Sequence, residues 1–372
     1  MYNDVTAGPH ASGASGMGLE IRGLAYAYGP CSVSTGNPVL NYTTFYEYTI
    51  INRSANTYTD FSIGIHTEAD LGQYNDDYIG CDVTDGYGYV YNGDANDETA
   101  GGAIGYGTNP PAAAFVLLKT PEAMNDGIDN DHDGVIDEAG EQMGMTNFMY
   151  YANPLPGTPA ALQAPANAVE YHHYLNSRWK DGSPLSCNAG NGYGGSTATH
   201  YAYPGTTYTT AACTAAWSET AAPGDRRYVL STKSYSLQPG EVIRFEFAHV
   251  TSFSQTGNVL NKLDQDVNAV KNFYQSGAGT SCLATGLYEE TTPGLFSLYP
   301  VPAGSSVQID LGKPLDAIVE LYDLYGKLVL QSNIDRLQTK SLDLTGLAVG
   351  TYIVKVRSEG GSFTKKLVKY ND

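Results

Sequence analysis

The sequence predicts a mainly β chain: a large antiparallel β-sandwich or jelly roll with long loops and one packed helix, followed by a small Ig-like β-sandwich. Short stretches alternate apolar and polar residues with a period of two, which suits half-buried strands. Glycine and proline, 42 and 18 of 372 residues, punctuate those stretches. The charge is also partitioned. From Leu298 onward there are nine Lys/Arg and eight Asp/Glu, a net of +1, so the overall −19 leaves −20 on the first 297 residues. These observations divide the chain into an acidic, Tyr/Gly-rich domain at 1–280, a linker at 281–297 and a terminal domain at 298–372.

Alternation is clear in Thr44-Phe45-Tyr46-Glu47-Tyr48-Thr49-Ile50-Ile51 and again in Phe61-Ser62-Ile63-Gly64-Ile65-His66. It returns in Val242-Ile243-Arg244-Phe245-Glu246-Phe247-Ala248-His249-Val250, entered through the turn Gln238-Pro239-Gly240-Glu241. From Asn258 to Gln275 the period changes. Val259, Leu260, Leu263, Val267, Val270 and Tyr274 recur at three- and four-residue steps and Gly277 supplies a stop, which predicts a helix packed on the sheet. Residues 276–293 are rich in Gly, Ser and Thr and read as a linker. Beyond it, short alternating strands resume between Gly and Pro punctuation.

With 11 Lys/Arg against 31 Asp/Glu, the first 297 residues repel nucleic acid and anionic membrane surfaces, and cations are their natural partners. No run of about 18 apolar residues is present to span a membrane as a helix. Met1-Tyr2-Asn3-Asp4 has neither a basic region nor an apolar core and reads as no signal peptide. Cysteines stand at 31, 81, 187, 213 and 282, all in the acidic part. Cys187 with Cys213 is the preferred disulfide, because the stretch between them is long and polar and gains most from a staple. No Cys-x-x-Cys or Cys/His cluster suggests metal ligation by thiolates.

The strongest chemical signal is Asn125-Asp126-Gly127-Ile128-Asp129-Asn130-Asp131-His132-Asp133-Gly134-Val135-Ile136-Asp137-Glu138. Asp129, Asp131 and Asp133 alternate, Gly134 permits the bend that turns their oxygens inward, and Asp137 falls at the ninth position of an EF-hand-like loop. The twelfth position is Gly140, with Glu141 beside it, and flanking helices are not expected. The stretch therefore resembles free-standing Asp-rich calcium loops of the thrombospondin type 3 or dockerin kind, in which Glu138 or Glu141 supplies a bidentate carboxylate. Calcium is the expected ion because it accepts six to eight hard oxygen donors in flexible geometry. A solvated acidic hairpin is the plainer alternative, opposed by the repulsion among such close carboxylates.

Between Asp60 and Glu141 there are 18 acids and one base, Lys119. A second, weaker cation site is expected near Asp70, Asp76, Asp77 and Asp82. Catalytic signals are lacking: there is no Gly-x-Ser-x-Gly, His-Glu-x-x-His or phosphate loop, and Ser177-Arg178-Trp179-Lys180 matches Ser-x-x-Lys without its companions. Tyr171-His172-His173-Tyr174 reads as a polar strand edge rather than a metal site. Asp225-Arg226-Arg227 reads as a buried ion pair organising a turn. Trp179, Tyr87, Tyr89 and Tyr91 suit core packing, with a carbohydrate-stacking platform as the alternative.

Two resemblances add to this reading. Leu298-Tyr299-Pro300-Val301-Pro302, the Gly326-Lys327 turn after Ile318-Val319-Glu320-Leu321-Tyr322, the Gly350-Thr351-Tyr352 strand start and the ending Lys365-Lys366-Leu367-Val368-Lys369-Tyr370 resemble the type A C-terminal sorting domain of the type IX secretion system of Bacteroidota. Val301 departs from the Asn usual there. The resemblance implies recognition of Pro300, Pro302, Gly326, Lys327, Gly350, Tyr352, Lys365 and Lys366 by outer-membrane machinery and a sortase-like protease. It also implies export through the periplasm and a secreted or surface-attached product.

The series Asp70-Leu71-Gly72, Asp76-Asp77-Tyr78-Ile79-Gly80-Cys81-Asp82, Tyr91-Asn92-Gly93-Asp94, Trp179-Lys180-Asp181-Gly182 and Asp225-Arg226-Arg227 looks like a module of large Bacteroidota surface proteins with no assigned enzymatic activity. Together these imply an exported, calcium-stabilised passenger with a structural, adhesive or binding role toward a surface glycan or protein. The rivals are a secreted glycan-acting hydrolase and a carbohydrate-binding module, since paired carboxylates are abundant.

Overall fold

The computed structural model describes residues 2–4, 10, 12–28, 35–123, 129, 134–137, 140–153, 158–187, 190–254, 258–279, 296–323, 326–358 and 361–370. The chain forms two compact units, Met1–Ala284 and Thr285–Asp372. In the first unit the strands are β1 Tyr2–Asn3, β2 Leu19–Tyr26, β3 Thr43–Asn52, β4 Tyr58–Glu68, β5 Asp77–Asp82, β6 Tyr87–Asn92, β7 Asn96–Asp97, β8 Gly107–Thr108, β9 Ala112–Lys119, β10 Asn147–Ala152, β11 Arg226–Leu237 and β12 Val242–Ser252. Among the described residues its helices include α1 Ala168–Leu175 and α2 Val259–Gln275.

A seven-stranded antiparallel sheet runs in the order β1-β2-β3-β12-β9-β6-β5, and a three-stranded sheet runs β10-β11-β4. Alternation along the central strands sends side chains to two cores. Ala113 on β9 with Phe245 and Phe247 on β12 joins Ile65, Phe148, Tyr228 and Leu230 from the small sheet. Ala112, Ala114 and Val116 on β9 with Ala248 and Val250 on β12 meet Leu263, Val267, Val270 and Phe273 of α2. The large sheet is thus covered by a helix on one face and by a second sheet on the other.

Helix α2 follows the expected period. Asn258 caps it by accepting from the Leu260 backbone N–H at 2.8 Å. The second helix, α1, overturns the expected strand edge at Tyr171-His172-His173-Tyr174. Asn167 Oδ1 accepts from the N–H groups of Val169 and Glu170, and Glu170 reaches back to the Ala166 N–H, a reciprocal cap that nucleates this short helix. Tyr174 alone faces the core, while His172 is exposed.

Cys187 and Cys213 form the expected disulfide. Cys81 is a buried free thiol that donates to the Ala202 carbonyl at 3.3 Å, and Cys31 and Cys282 lie outside the described residues.

In the second unit, β13 Ser297–Tyr299, β14 Ser306–Asp323, β15 Leu328–Asp343, β16 Gly350–Ser358 and β17 Gly361–Lys369 form one antiparallel sheet. It encloses Val307, Ile309, Val319, Leu321, Ile334, Val354, Val356 and Leu367. The expected linker lies outside the described residues up to residue 295. Its last two positions belong to this unit, because the Phe296 ring is buried in that core and Ser297 opens β13. Among the described residues, no helix is long and apolar enough to cross a membrane.

Candidate cation sites and the terminal domain

Of the expected calcium loop, Asp129, Gly134, Asp137 and Glu141 are described, whereas Asp131, Asp133 and Glu138 lie outside the described residues. The Gly134 N–H donates to Asp129 Oδ2 at 3.0 Å, and Gly134 sits at φ +97, where only glycine bends without strain. The loop's base is closed by the Glu122 and Gln142 bridge, with Ala123 N–H to Glu141 O at 2.8 Å and Met143 N–H to Pro121 O at 2.9 Å. This clamp delivers Glu141, itself buried, to the foot of the loop.

The four acids of the second expected site do not converge. Strand β5 begins at Asp77 and ends at Asp82, and five residue steps at about 3.4 Å hold those two Cα atoms about 17 Å apart. Asp82 instead shares a cluster with Asp85 and Asp264, whose carboxylate oxygens lie within 4.8 Å of one another. Lys271 Nζ already supplies a counter-charge there, 2.8 Å from Asp85 Oδ1. Burial, then the neighbouring Asp85 and Asp264, pushes the Asp82 carboxyl up.

At the other end of β5 stand Asp76 and Asp77, within electrostatic reach of Asp97. Asp70 is exposed and lines a cavity of about 320 Å³ with Glu68, Tyr106, Phe115 and His249.

Burial pulls the half-buried His249 imidazole below the ordinary 6.5. Above pH 6.5 both folded and unfolded forms of such a histidine are neutral. As pH falls below it, the unfolded chain takes the proton first, so stability is lost toward acid. His249→Gln is therefore expected to gain on the wild type between about pH 7 and about pH 5 in urea midpoints. An equal difference at both values would refute it.

The Ser-x-x-Lys residues are each hydrogen-bonded to backbone carbonyls. Ser177 Oγ donates to the His200 carbonyl at 2.5 Å and Lys180 Nζ donates to the Ala164 carbonyl at 3.0 Å, so each is engaged elsewhere. Trp179 and Tyr87 are buried, and the half-buried Tyr89 and Tyr91 pack against the core beneath α2. Arg226 pairs with buried Glu219 at 2.7 Å, while Arg227 bridges Asp225 and Glu68.

In the second unit the residues singled out by sequence fall at structural joints. The Pro300 and Pro302 segment leads to Ala303, whose N–H donates to Val368 O at 2.8 Å while Tyr370 N–H donates to Ala303 O at 2.9 Å, tying the opening to the last strand. Gly326 and Lys327 form a tight turn: their N–H groups donate to the Asp323 carbonyl and Oδ1, and Gly326 has φ +79. Gly350 opens β16, and buried Tyr352 donates its hydroxyl to Ala348 O at 2.7 Å. On β17, Lys366 is exposed and Lys365 Nζ lies 5.8 Å from the Phe296 ring centre.

Residues 297–370 match the secretion system C-terminal sorting domain. This sorting domain belongs to type IX secretion and directs the chain to the cell surface or the extracellular space. It implies interaction with that secretion machinery.

Among solved structures, a DUF3244 family protein with an immunoglobulin-like β-sandwich fold from Bacteroides vulgatus ATCC 8482 is 16% identical over 20% of this chain and 86% of its own, with a TM-score of 0.17. A polysaccharide lyase is 11% identical over 89% of this chain and 32% of its own, with a TM-score of 0.23. At these scores neither likeness bears on what the passenger does. No curated protein matches the chain.

Proposed function

We propose that the passenger ahead of the sorting domain is a calcium-stabilised module with a structural or binding role at the cell surface. The observation that carries this reading is the clamped acidic loop from Asp129 to Glu141. Its base is fixed by backbone hydrogen bonds, and Asp129 is already turned onto the Gly134 N–H. Asp131, Asp133, Asp137 and Glu138 complete the expected ligand set. Millimolar calcium outside the cell is enough to fill even a weak site of this kind.

The test compares the wild type with Asp131→Ala/Asp133→Ala in calcium and in chelator. Calcium is expected to raise the wild-type melting temperature by several degrees more than that of the variant. Equal calcium shifts in the two proteins would remove the loop as an ion site.

Glycan recognition is the second reading, and the cavity beside Asp70 favours it. Tyr106 exposes its ring there, with Phe115 and His249 lining the wall next to the Glu68 and Asp70 carboxylates. Screening the exported protein on glycan arrays, with sugar release measured in parallel, separates a binder from a hydrolase.

A further inference from the structure

The cavity of about 320 Å³ beside Asp70 draws its lining from both sheets of the first unit. On the large sheet, His249↔Phe115 and Thr251↔Ala113 are facing pairs of β12 and β9, and Val90 on β6 stands opposite Ala113. The two-residue period brings these side chains to one face, which forms the floor. The opposite wall comes from the small sheet, where Tyr228↔Thr67 is a facing pair of β11 and β4, and from the chain leaving β4 through Glu68 and Asp70. Tyr106, just before β8, lines the remaining side.

The charge on this lining has one sign. Among the described residues its acids are Glu68 and Asp70, and it carries neither lysine nor arginine. Arg227 balances the Glu68 carboxylate from outside the lining. Asp70 is exposed and has no basic partner within salt-bridge distance among the described residues. The half-buried His249 favours its neutral ring at pH 7, because burial pulls it below the ordinary 6.5.

The walls are aromatic as well as acidic. The rings of Phe115 and His249 lie 4.8 Å apart at 34°, and Phe115 meets Phe247 edge-on at 5.8 Å, which fixes its plane. Tyr106 is 56% exposed, and its N–H donates to Asp97 Oδ2 at 2.8 Å, which pins the backbone that presents the ring. A Cβ at Gly72 would lie 2.9 Å from that ring, so a glycine here lets the chain just after Asp70 pass close beneath it.

A space of this size and lining suits a small organic ligand. Calcium takes six to eight oxygen donors, more than this lining gathers. An organic ammonium is drawn both to a carboxylate and to an aromatic face. We infer that the cavity takes the charged amino group of an amino sugar, with Asp70 as its counter-ion and Tyr106 stacked on the sugar ring. That assignment rests on the glycan reading of this cavity and narrows it to one class of sugar. A hydroxyl in place of the amine leaves Asp70 unmatched, an N-acetyl group removes the charge, and an acidic sugar meets carboxylates of its own sign.

The test uses the full chain and three oligosaccharides that share one backbone. Chitosan oligosaccharide carries an amine, its N-acetylated counterpart an amide and cello-oligosaccharide a hydroxyl at the same carbon. Calorimetric titration of the wild type is expected to show at least about a tenfold preference for the amine over the hydroxyl. Asp70→Asn is expected to remove that preference, and Tyr106→Ala to weaken binding of the amino sugar and the neutral sugar alike. Both side chains are exposed, so each variant is expected to melt with the wild type, which is checked alongside.

An acidic domain attracts any polycation, so Glu98→Gln, at an exposed acid off the lining, serves as the charge-matched control and is expected to keep the preference. A preference that survives Asp70→Asn, or that Glu98→Gln removes as fully, overturns the site as diffuse attraction. Equal affinity for the amine and hydroxyl sugars, weakened by Tyr106→Ala, overturns the amine assignment and leaves the glycan reading standing. Binding of none of the three sugars overturns both.

Discussion

Arg226→Met is expected to destabilise the passenger by about 3–5 kcal/mol, far more than loss of a surface ion pair. The Arg226 Nε–H donates to Glu219 Oε1 at 2.7 Å, and a second guanidinium nitrogen donates to the Ala222 carbonyl at 2.6 Å. Glu219 Oε2 accepts from the Ile79 N–H at 3.1 Å, so this carboxylate fixes the segment before β11 to an edge strand of the large sheet. The side chains of Glu219 and Arg226 are 1% and 10% exposed. Burial alone pushes the Glu219 carboxyl up, and Arg226 is the main influence holding it down. Removing the arginine leaves a buried charge without a partner.

Glu219→Gln/Arg226→Met is expected to recover most of the loss, because a neutral amide can still accept from Ile79. Denaturant unfolding of Arg226→Met, Glu219→Gln and the double variant measures the coupling. A single-variant cost below about 1 kcal/mol, or a double variant no better than the single, would show that the pair does not hold this corner.

The sequence showed the frame more readily than the site, and the reason is the range over which each is encoded. Phe245, Phe247 and their neighbours on β3 alternate within a few residues, so periodicity revealed strands whose pairing is observed from Val242↔Ile51 to Val250↔Thr43. The sorting domain was legible for a similar reason, its turn and strand starts being local. Helix α1 was missed because eight residues hold too few apolar positions to show a period; the Asn167 and Glu170 spacing was the available signal.

The four acids of the second expected site are near in sequence, but Asp77 and Asp82 stand at opposite ends of a strand. Asp97, 20 residues from Asp77, comes close through the β5 and β6 hairpin, which sets Asp77 opposite Asn92. Recognising that hairpin from the turn at Gly86 would have brought Asp94 and Asp97 back toward Asp76.

Trp179→Ala is expected to cost about 3–5 kcal/mol and to loosen the disulfide-bearing segment before the sheets unfold. Trp179 is 0% exposed. Its indole meets Tyr150 edge-on at 5.4 Å and Tyr193 at 5.9 Å, and its ring N–H donates to Gly192 O at 2.8 Å. The second of the chain's two tryptophans, Trp217, donates in the same way to Gly190 O at 3.1 Å. Two indoles therefore grip alternate carbonyls of one glycine-rich stretch, inside the loop closed by Cys187 and Cys213.

The disulfide limits how far that loop can travel, but it does not fill the volume that Trp179 occupies; the Gly192 carbonyl keeps the Ser186 N–H at 2.9 Å. Trp179→Phe should keep part of the packing and lose the hydrogen bond, costing about 1–2 kcal/mol. With Trp179 removed, Trp217 is the sole indole reporter. Its emission is expected to shift at lower denaturant than the loss of far-ultraviolet circular dichroism, whereas the two transitions coincide in the wild type. Coincident transitions in Trp179→Ala, together with a cost under about 1 kcal/mol, would mean that the loop is held by its disulfide and not by the indoles.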